Sequence, residues 1–174
     1  MNDYRSTIPD YAKDLKLNIG MVLDPDNSTL SITQLSIIAM SCAYATDNHD
    51  LQSALKEHFK DTLNDSMIEG AKAAASIMAM NNIYYRFVHL MSDDQYQKMP
   101  AKLRMNIIAN PGIDKVDFEL ACLAVSAING CGLCMDSHAK TLEKNHVSPQ
   151  DIQMTAKIAA VINGLAQVRR QERV

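Results

Sequence analysis

The chain has 174 residues, 47% of them hydrophobic and only 5% aromatic, with 11 Met and no Trp. Its formal net charge is −3, which leaves no case for a nucleic-acid surface, and no apolar run reaches the roughly 18 residues that a membrane span needs. The polar opening from Met1 to Pro9 lacks a secretory signal, so a soluble, cytoplasmic protein is expected.

Ala, Met, Leu and Ile supply most of the apolar residues, and no segment sustains strand alternation. The chain therefore reads as an all-α helical bundle forming one domain, 1–174. A first short helix is predicted over Pro9–Asn18. Asp24-Pro25-Asp26-Asn27-Ser28 is a loop by its turn chemistry. A second helix runs from about Ser31 to Thr46, starting near a Ser/Thr cap. Asp47–Asp50 interrupts the apolar pattern, and Leu51–Phe59 resumes it. Asn64-Asp65-Ser66 caps a further helix that continues through Ala71–Met80 toward Tyr85. Ser92–Asp94 and Met99-Pro100 punctuate a linking region, and Asn110-Pro111-Gly112 is a turn. Helices follow at about Lys115–Asn129, Cys131–Lys144 and Ser148–Arg170. The basic cluster Arg169, Arg170 and Arg173, interrupted by Glu172, reads as a charged last helical turn.

The two halves, about 1–90 and about 100–174, resemble each other. At a shift of 85 positions Leu35 meets Leu120, Ile38 meets Leu123 and Ser41 meets Ser126. At 84, Ile68 meets Ile152, Ala75 meets Ala159 and Arg86 meets Arg170. Under the first shift Gln34 faces Glu119, Thr46 faces Cys131, His49 faces Cys134 and Ser53 faces His138. The first half thus keeps a frame without the reactive set.

Four cysteines are present. Cys42 and Cys122 lie in apolar stretches and read as small buried hydrophobes. Cys131-Gly132-Leu133-Cys134 is different. It follows Gly130 and opens a helical stretch, where free backbone N–H groups and the helix dipole favour a thiolate. Two cysteines three apart at a helix start can close a disulfide locally and so carry two electrons. His138 lies one turn beyond Cys134 on the same face, where an imidazole can accept a thiol proton. Glu119, on the preceding helix among Phe118, Leu120, Ala121 and Leu123, is costly to bury without a partner. If the two helices pack against each other, it can reach His138 and orient the ring. Two readings compete with redox chemistry: a metal site, for which Cys131, Cys134 and His138 would want a fourth ligand, and a pair of inert buried cysteines. His49, His58, His89 and His146 lack comparable company, His146 sitting in a loop. Met78, Met80 and Met91 read as core packing.

The pattern Glu119, Cys131, Cys134, His138 resembles the alkylhydroperoxidase D (AhpD) family of the carboxymuconolactone decarboxylase-like superfamily. The likeness extends along the chain, through Ile8–Asn18, Met80-Asn81-Asn82-Ile83-Tyr84-Tyr85-Arg86, Leu103–Gly112 and Val125-Ser126-Ala127-Ile128-Asn129-Gly130-Cys131. It implies an all-helical subunit in a homotrimer with an antioxidant, alkyl hydroperoxide reductase role. It implies no bound cofactor and no metal. Electrons would come from a lipoyl group on a 2-oxo acid dehydrogenase component, recharged by dihydrolipoamide dehydrogenase and NADH, and would pass to the peroxiredoxin AhpC. By resemblance, Cys134 is the nucleophile and passes through a sulfenic acid. Cys131 supplies a proton and then closes the Cys131–Cys134 disulfide, while Glu119 and His138 form the proton relay.

In one place the chain departs from the family pattern. Family members have a second His just before the later Cys, where this chain has Leu133. That removes a hydrogen-bond partner of the thiols and implies slower direct peroxidase chemistry, with thiol–disulfide exchange less affected. Two further function classes stand beside this reading. One is a carboxymuconolactone decarboxylase-like enzyme without peroxidase activity, which would not need the Cys pair. The other is a redox-sensing helical scaffold, which would form the disulfide without turnover.

Overall fold

The computed structural model describes residues 1–172, the Asn2 side chain apart; Arg173 of the predicted basic cluster lies outside them. All regular structure among the described residues is helical, as the composition predicts. In chain order the helices are α1 (Asn2–Ser6), α2 (Lys13–Val22), α3 (Ile32–Ala45), α4 (His49–His58), α5 (Asp65–Leu90), α6 (Gln95–Lys98), α7 (Asn106–Ala109), α8 (Lys115–Ile128), α9 (Gly132–Lys144) and α10 (Pro149–Glu172).

Two of these helices are apolar on every side, which a helix tolerates only when it is enclosed. Every residue of α3 from Leu35 to Ala43 is buried, and so is every residue of α8 from Leu120 to Ser126. They pack on each other at the centre, and the long helices α5 and α10 flank both. Outside these lie α2 against α10, α4 against α3, and α9 against α8 and α5. A main core gathers Ile19, Leu35, Ile38, Leu51, Leu55, Phe59, Leu120, Leu142, Ile158 and Leu165. A smaller cluster of Ile37, Met67, Ala74, Met78, Phe118, Ala121, Cys122 and Val125 fills the space between α3, α5 and α8. Each such large side chain contributes about 1.5–3 kcal/mol by leaving water.

The helix starts follow side-chain caps. Ser31 and Gln34 form a reciprocal capping box on α3, and Asn64 accepts the Met67 N–H on α5. The predicted opening helix differs in detail. Pro9, with an extended backbone, separates α1 from a short 3₁₀ turn at Asp10–Ala12, and α2 then runs on to Val22 because Ile19 and Val22 continue a buried stripe. The polar opening is itself helical, its Tyr4 reaching the core.

The corner between α3 and α4 is built like the corner between α8 and α9. Asp47 and Gly130 both adopt positive φ, 53° and 67°. Asn48 N–H donates to the Ala43 carbonyl as Cys131 N–H does to that of Ser126. Each helix thus ends in a Schellman turn. Asn48 and Cys131 then cap the following helices, accepting the N–H of Leu51 and Cys134. Both α3 and α8 have 14 residues, and their caps, Ser31 and Asp114, stand 83 positions apart. The caps of α5 and α10, Asn64 and Ser148, stand 84 apart. In this register Cys131 corresponds to Asn48, Cys134 to Leu51, His138 to Leu55 and Glu119 to Ser36. The 85-residue shift read from side-chain matches is two residues too long at this corner.

Candidate functional site

The Schellman turn at Gly130 delivers Cys131 directly to the start of α9. The Cys131 sulfur does the work that Asn and Ser oxygens do on other helices here: it accepts the Cys134 N–H at 3.3 Å. Cys131 is fully buried and Cys134 nearly so, and the two are joined as a disulfide, their Cα atoms 5.3 Å apart. Cys42 and Cys122 are free and buried. Burial pushes both thiols well above the usual cysteine range, and the Glu119 charge adds to the effect on Cys122.

One turn beyond Cys134, His138 projects from α9 toward α8 and α5. Its Nδ1 lies 2.6 Å from Glu119 Oε2. A carboxylate can only accept, so Nδ1 carries the hydrogen and donates it. The two side chains are largely enclosed, 11% and 16% exposed, which shields their attraction from water. The other ring nitrogen, Nε2, faces Met78 Sδ at 3.3 Å. A protonated ring therefore finds an acceptor on each side, a strong one at Nδ1 and a weak one at Nε2.

Behind Met78 lies a small polar network inside the second core cluster. Ser126 Oγ donates to Met78 Sδ at 3.5 Å, and Asn82 Nδ2 donates to Ser126 Oγ at 2.9 Å. Asn129 Nδ2 donates to Asn82 Oδ1 at 2.9 Å, and Arg86 caps the Asn129 carbonyl. This network ties α5 to the last turn of α8, the segment that aims Cys131.

A cleft of about 400 Å³ opens over these groups. Cys134, Ser137, His138 and Thr141 of α9 form one wall, Met78, Asn81 and Tyr85 of α5 another, with Glu119, Met105, Ile108 and Leu133 completing it. Leu133 is 41% exposed, so the residue that departs from the family pattern stands at the rim. Among the described residues no group of His, Cys, Asp and Glu is arranged to hold a metal ion.

All four predicted residues, Glu119, Cys131, Cys134 and His138, thus meet in one place. His49, His58, His89 and His146 do not join them. Met78 was expected only to pack, and it does, but it also touches His138. Met80 and Met91 are only half-buried. The sequence reading missed Asn81, Asn82 and Ser126. The signal for Asn82 was a polar amide in the middle of an Ala/Met helix, which asks for a buried partner.

The pattern of the carboxymuconolactone decarboxylase family matches residues 94–174, the part that carries the CxxC segment. A Coxiella burnetii (strain RSA 493 / Nine Mile phase I) protein named alkyl hydroperoxide reductase AhpD is 58% identical over 169 residues, 97% of this chain and 96% of its own. AhpD of Brucella canis is 49% identical over 166 residues, covering 95% and 94%. AhpD of Brucella suis is 48% identical over the same shares.

Proposed function

This chain belongs to the AhpD family, and on that premise we propose that it reduces alkyl hydroperoxides through a Cys131/Cys134 dithiol–disulfide pair and serves the peroxiredoxin AhpC as a disulfide reductant. The observation that carries the reading is the cleft that Cys134 and His138 share: the Cys134 sulfur is paired with the buried Cys131 at a helix N-terminus, and the imidazole is already bound to a carboxylate.

The Cys134 thiolate attacks the terminal peroxide oxygen and the O–O bond breaks. The alkoxide takes a proton supplied through Cys131, and Cys134 becomes a sulfenic acid, oxidised by two electrons. The Cys131 thiolate then attacks that sulfur. The S–O bond breaks, and the departing hydroxide leaves as water with a proton from the Glu119–His138 relay. Exchange with a dihydrolipoyl group of a 2-oxo acid dehydrogenase component restores the dithiol, and dihydrolipoamide dehydrogenase recharges the lipoyl group. No bound cofactor takes part. Such a cycle suits the cytoplasm, where Cys42 and Cys122 also stay reduced. No helix among the described residues is long and apolar enough to cross a membrane. The homotrimer follows from the family resemblance, and the surface it would bury is an apolar stripe on α5, where Ile83, Phe87 and Leu90 are 65%, 45% and 72% exposed at helical spacing.

Stopped-flow loss of an alkyl hydroperoxide tests the reading, first with the fully reduced protein alone and then with added peroxiredoxin and dihydrolipoamide. Slow loss alone and fast loss in the mixture are expected, both abolished by Cys134→Ser. Full peroxide and disulfide-reductase activity in Cys134→Ser overturns it.

A further inference from the structure

The wall of the cleft holds a buried oxygen without a hydrogen-bond partner. Asn81 is 4% exposed and lines the cleft wall, yet its Oδ1 has no hydrogen-bond partner. A buried carbonyl oxygen left unpaired is costly and uncommon. The next residue shows the contrast. Asn82 uses both ends of its amide, donating to Ser126 Oγ and accepting from Asn129 Nδ2. About 100° of helix separates the two side chains, so Asn82 serves the network and Asn81 faces the cleft with Met78 and Tyr85.

An oxygen of this kind is free to accept a hydrogen bond from a ligand that brings a donor. The surrounding surface requires an apolar body, since Tyr85, Met105, Ile108 and Leu133 line the same space. An alkyl hydroperoxide has both: a hydrocarbon group and one terminal O–H. Resting on the peroxidase reading above, we propose that Asn81 Oδ1 accepts the hydrogen bond of the hydroperoxide O–H and thereby turns the terminal oxygen toward Cys134.

The bond balance keeps that contact useful through the reaction. The Cys134 sulfur bonds to the terminal oxygen, the O–O pair leaves with the alkoxide, and the alkoxide is protonated. The hydroperoxide hydrogen stays on the transferred oxygen, now the sulfenic O–H, and Asn81 still holds it. Once Cys131 displaces that oxygen as water, the acceptor is idle again. Reduction by a dithiol brings no O–H to Cys134 and does not call on Asn81.

The two half-reactions therefore separate under substitution. Asn81→Leu keeps the number and branching of side-chain heavy atoms and deletes the unpaired oxygen, so the melting temperature should change little. The reaction of the reduced variant with cumene hydroperoxide should slow by roughly two- to twelvefold, the worth of one neutral substrate hydrogen bond. Reduction of its disulfide by dihydrolipoamide should change little. Asn81→Ala, read in the same two assays, covers a failure of the leucine variant to fold. Unchanged hydroperoxide rates in a folded variant overturn the assignment alone. Equal slowing of both half-reactions also overturns it, by assigning Asn81 a structural part. A wild type inert to hydroperoxide but active with dihydrolipoamide overturns the direct peroxidase reading and this assignment with it.

Discussion

Glu119→Gln isolates what the carboxylate charge does for His138. Gln has the same size and keeps an oxygen able to accept the Nδ1 hydrogen, so the 2.6 Å contact can survive with its geometry intact. Only the charge is lost. A hydrogen bond to a charged group contributes about 1.5–3 kcal/mol and a neutral one about 0.5–1.5. The enclosed position of both side chains sets the loss toward the upper part of that difference. About 1.4 kcal/mol corresponds to roughly a tenfold change. The loss falls on the imidazolium, the form the ring takes while it holds a proton in transit, so steps that move a proton through His138 should slow by about that factor. Single-turnover stopped flow of reduced protein with hydroperoxide at neutral pH reads the step, and thermal unfolding runs beside it. A slower rate with a small change in melting temperature is the expected pair. A wild-type rate with a lowered melting temperature would make the Glu119–His138 contact a structural bond and remove it from the chemistry.

Leu133→His restores the family histidine at an exposed rim position, so stability should move by no more than about 0.5 kcal/mol. Direct hydroperoxide loss should rise by at least about tenfold in stopped flow, and an unchanged rate would show that Leu133 limits nothing. In the reduced native protein a thiol reagent should label Cys134 and leave the buried Cys42 and Cys122 until unfolding, as mass mapping can check. Because burial raises those two thiols, their unfolded forms ionise first, and urea-measured stability should decline as pH rises above about 8.5. Gly130→Ala meets no neighbouring atom, so its cost is the positive φ alone, roughly 1 kcal/mol in denaturant titration, with Gly130→Asn cheaper. Phe87→Glu with Leu90→Glu should shift the native mass measured by light scattering to that of a monomer; an unchanged oligomer would place the interface elsewhere.

The longer helices from Ser31 onward were legible in the sequence because caps and apolar periodicity agree there, as at Ser31 and Asn64, whereas the one-turn helices α6 and α7, in the segment read as a linking region, were not. The opening was not: Tyr4 reaches the core from a segment whose other residues are mostly polar, and only its packing partners make it a helix. The Glu119–His138 meeting was legible as a need, since a carboxylate among apolar residues wants a partner. The third member of that contact, Met78, was not, because a methionine in an Ala/Met helix carries no mark of facing an imidazole. Asn81 and Asn82 look alike in sequence. Their different parts follow from the angle between successive helical side chains and from what α8 happens to present to each.

The two corners show how such a site can be installed without altering the frame. At the α3–α4 corner the backbone turns through Asp47, Asn48 caps the next helix, and Leu51, Leu55 and Phe59 go into the core. At the α8–α9 corner Gly130 makes the same turn, Cys131 caps, and Cys134, His138 and Leu142 take the corresponding inward places. Two of the positions that carry polar chemistry in one half, those of Cys134 and His138, are thus leucine core positions in the other. An inward position supplies rigidity and low dielectric, which strengthen the pairing of His138 with Glu119. It also demands that every polar group find a partner, which is why Glu119, Met78 and the Asn82–Ser126 network accompany the reactive set. The first corner needs none of these, because its Leu51 and Leu55 bring no polar group inside. The polar residues around α9 are therefore a requirement of putting a histidine and the Cys134 sulfur where this fold otherwise puts leucine.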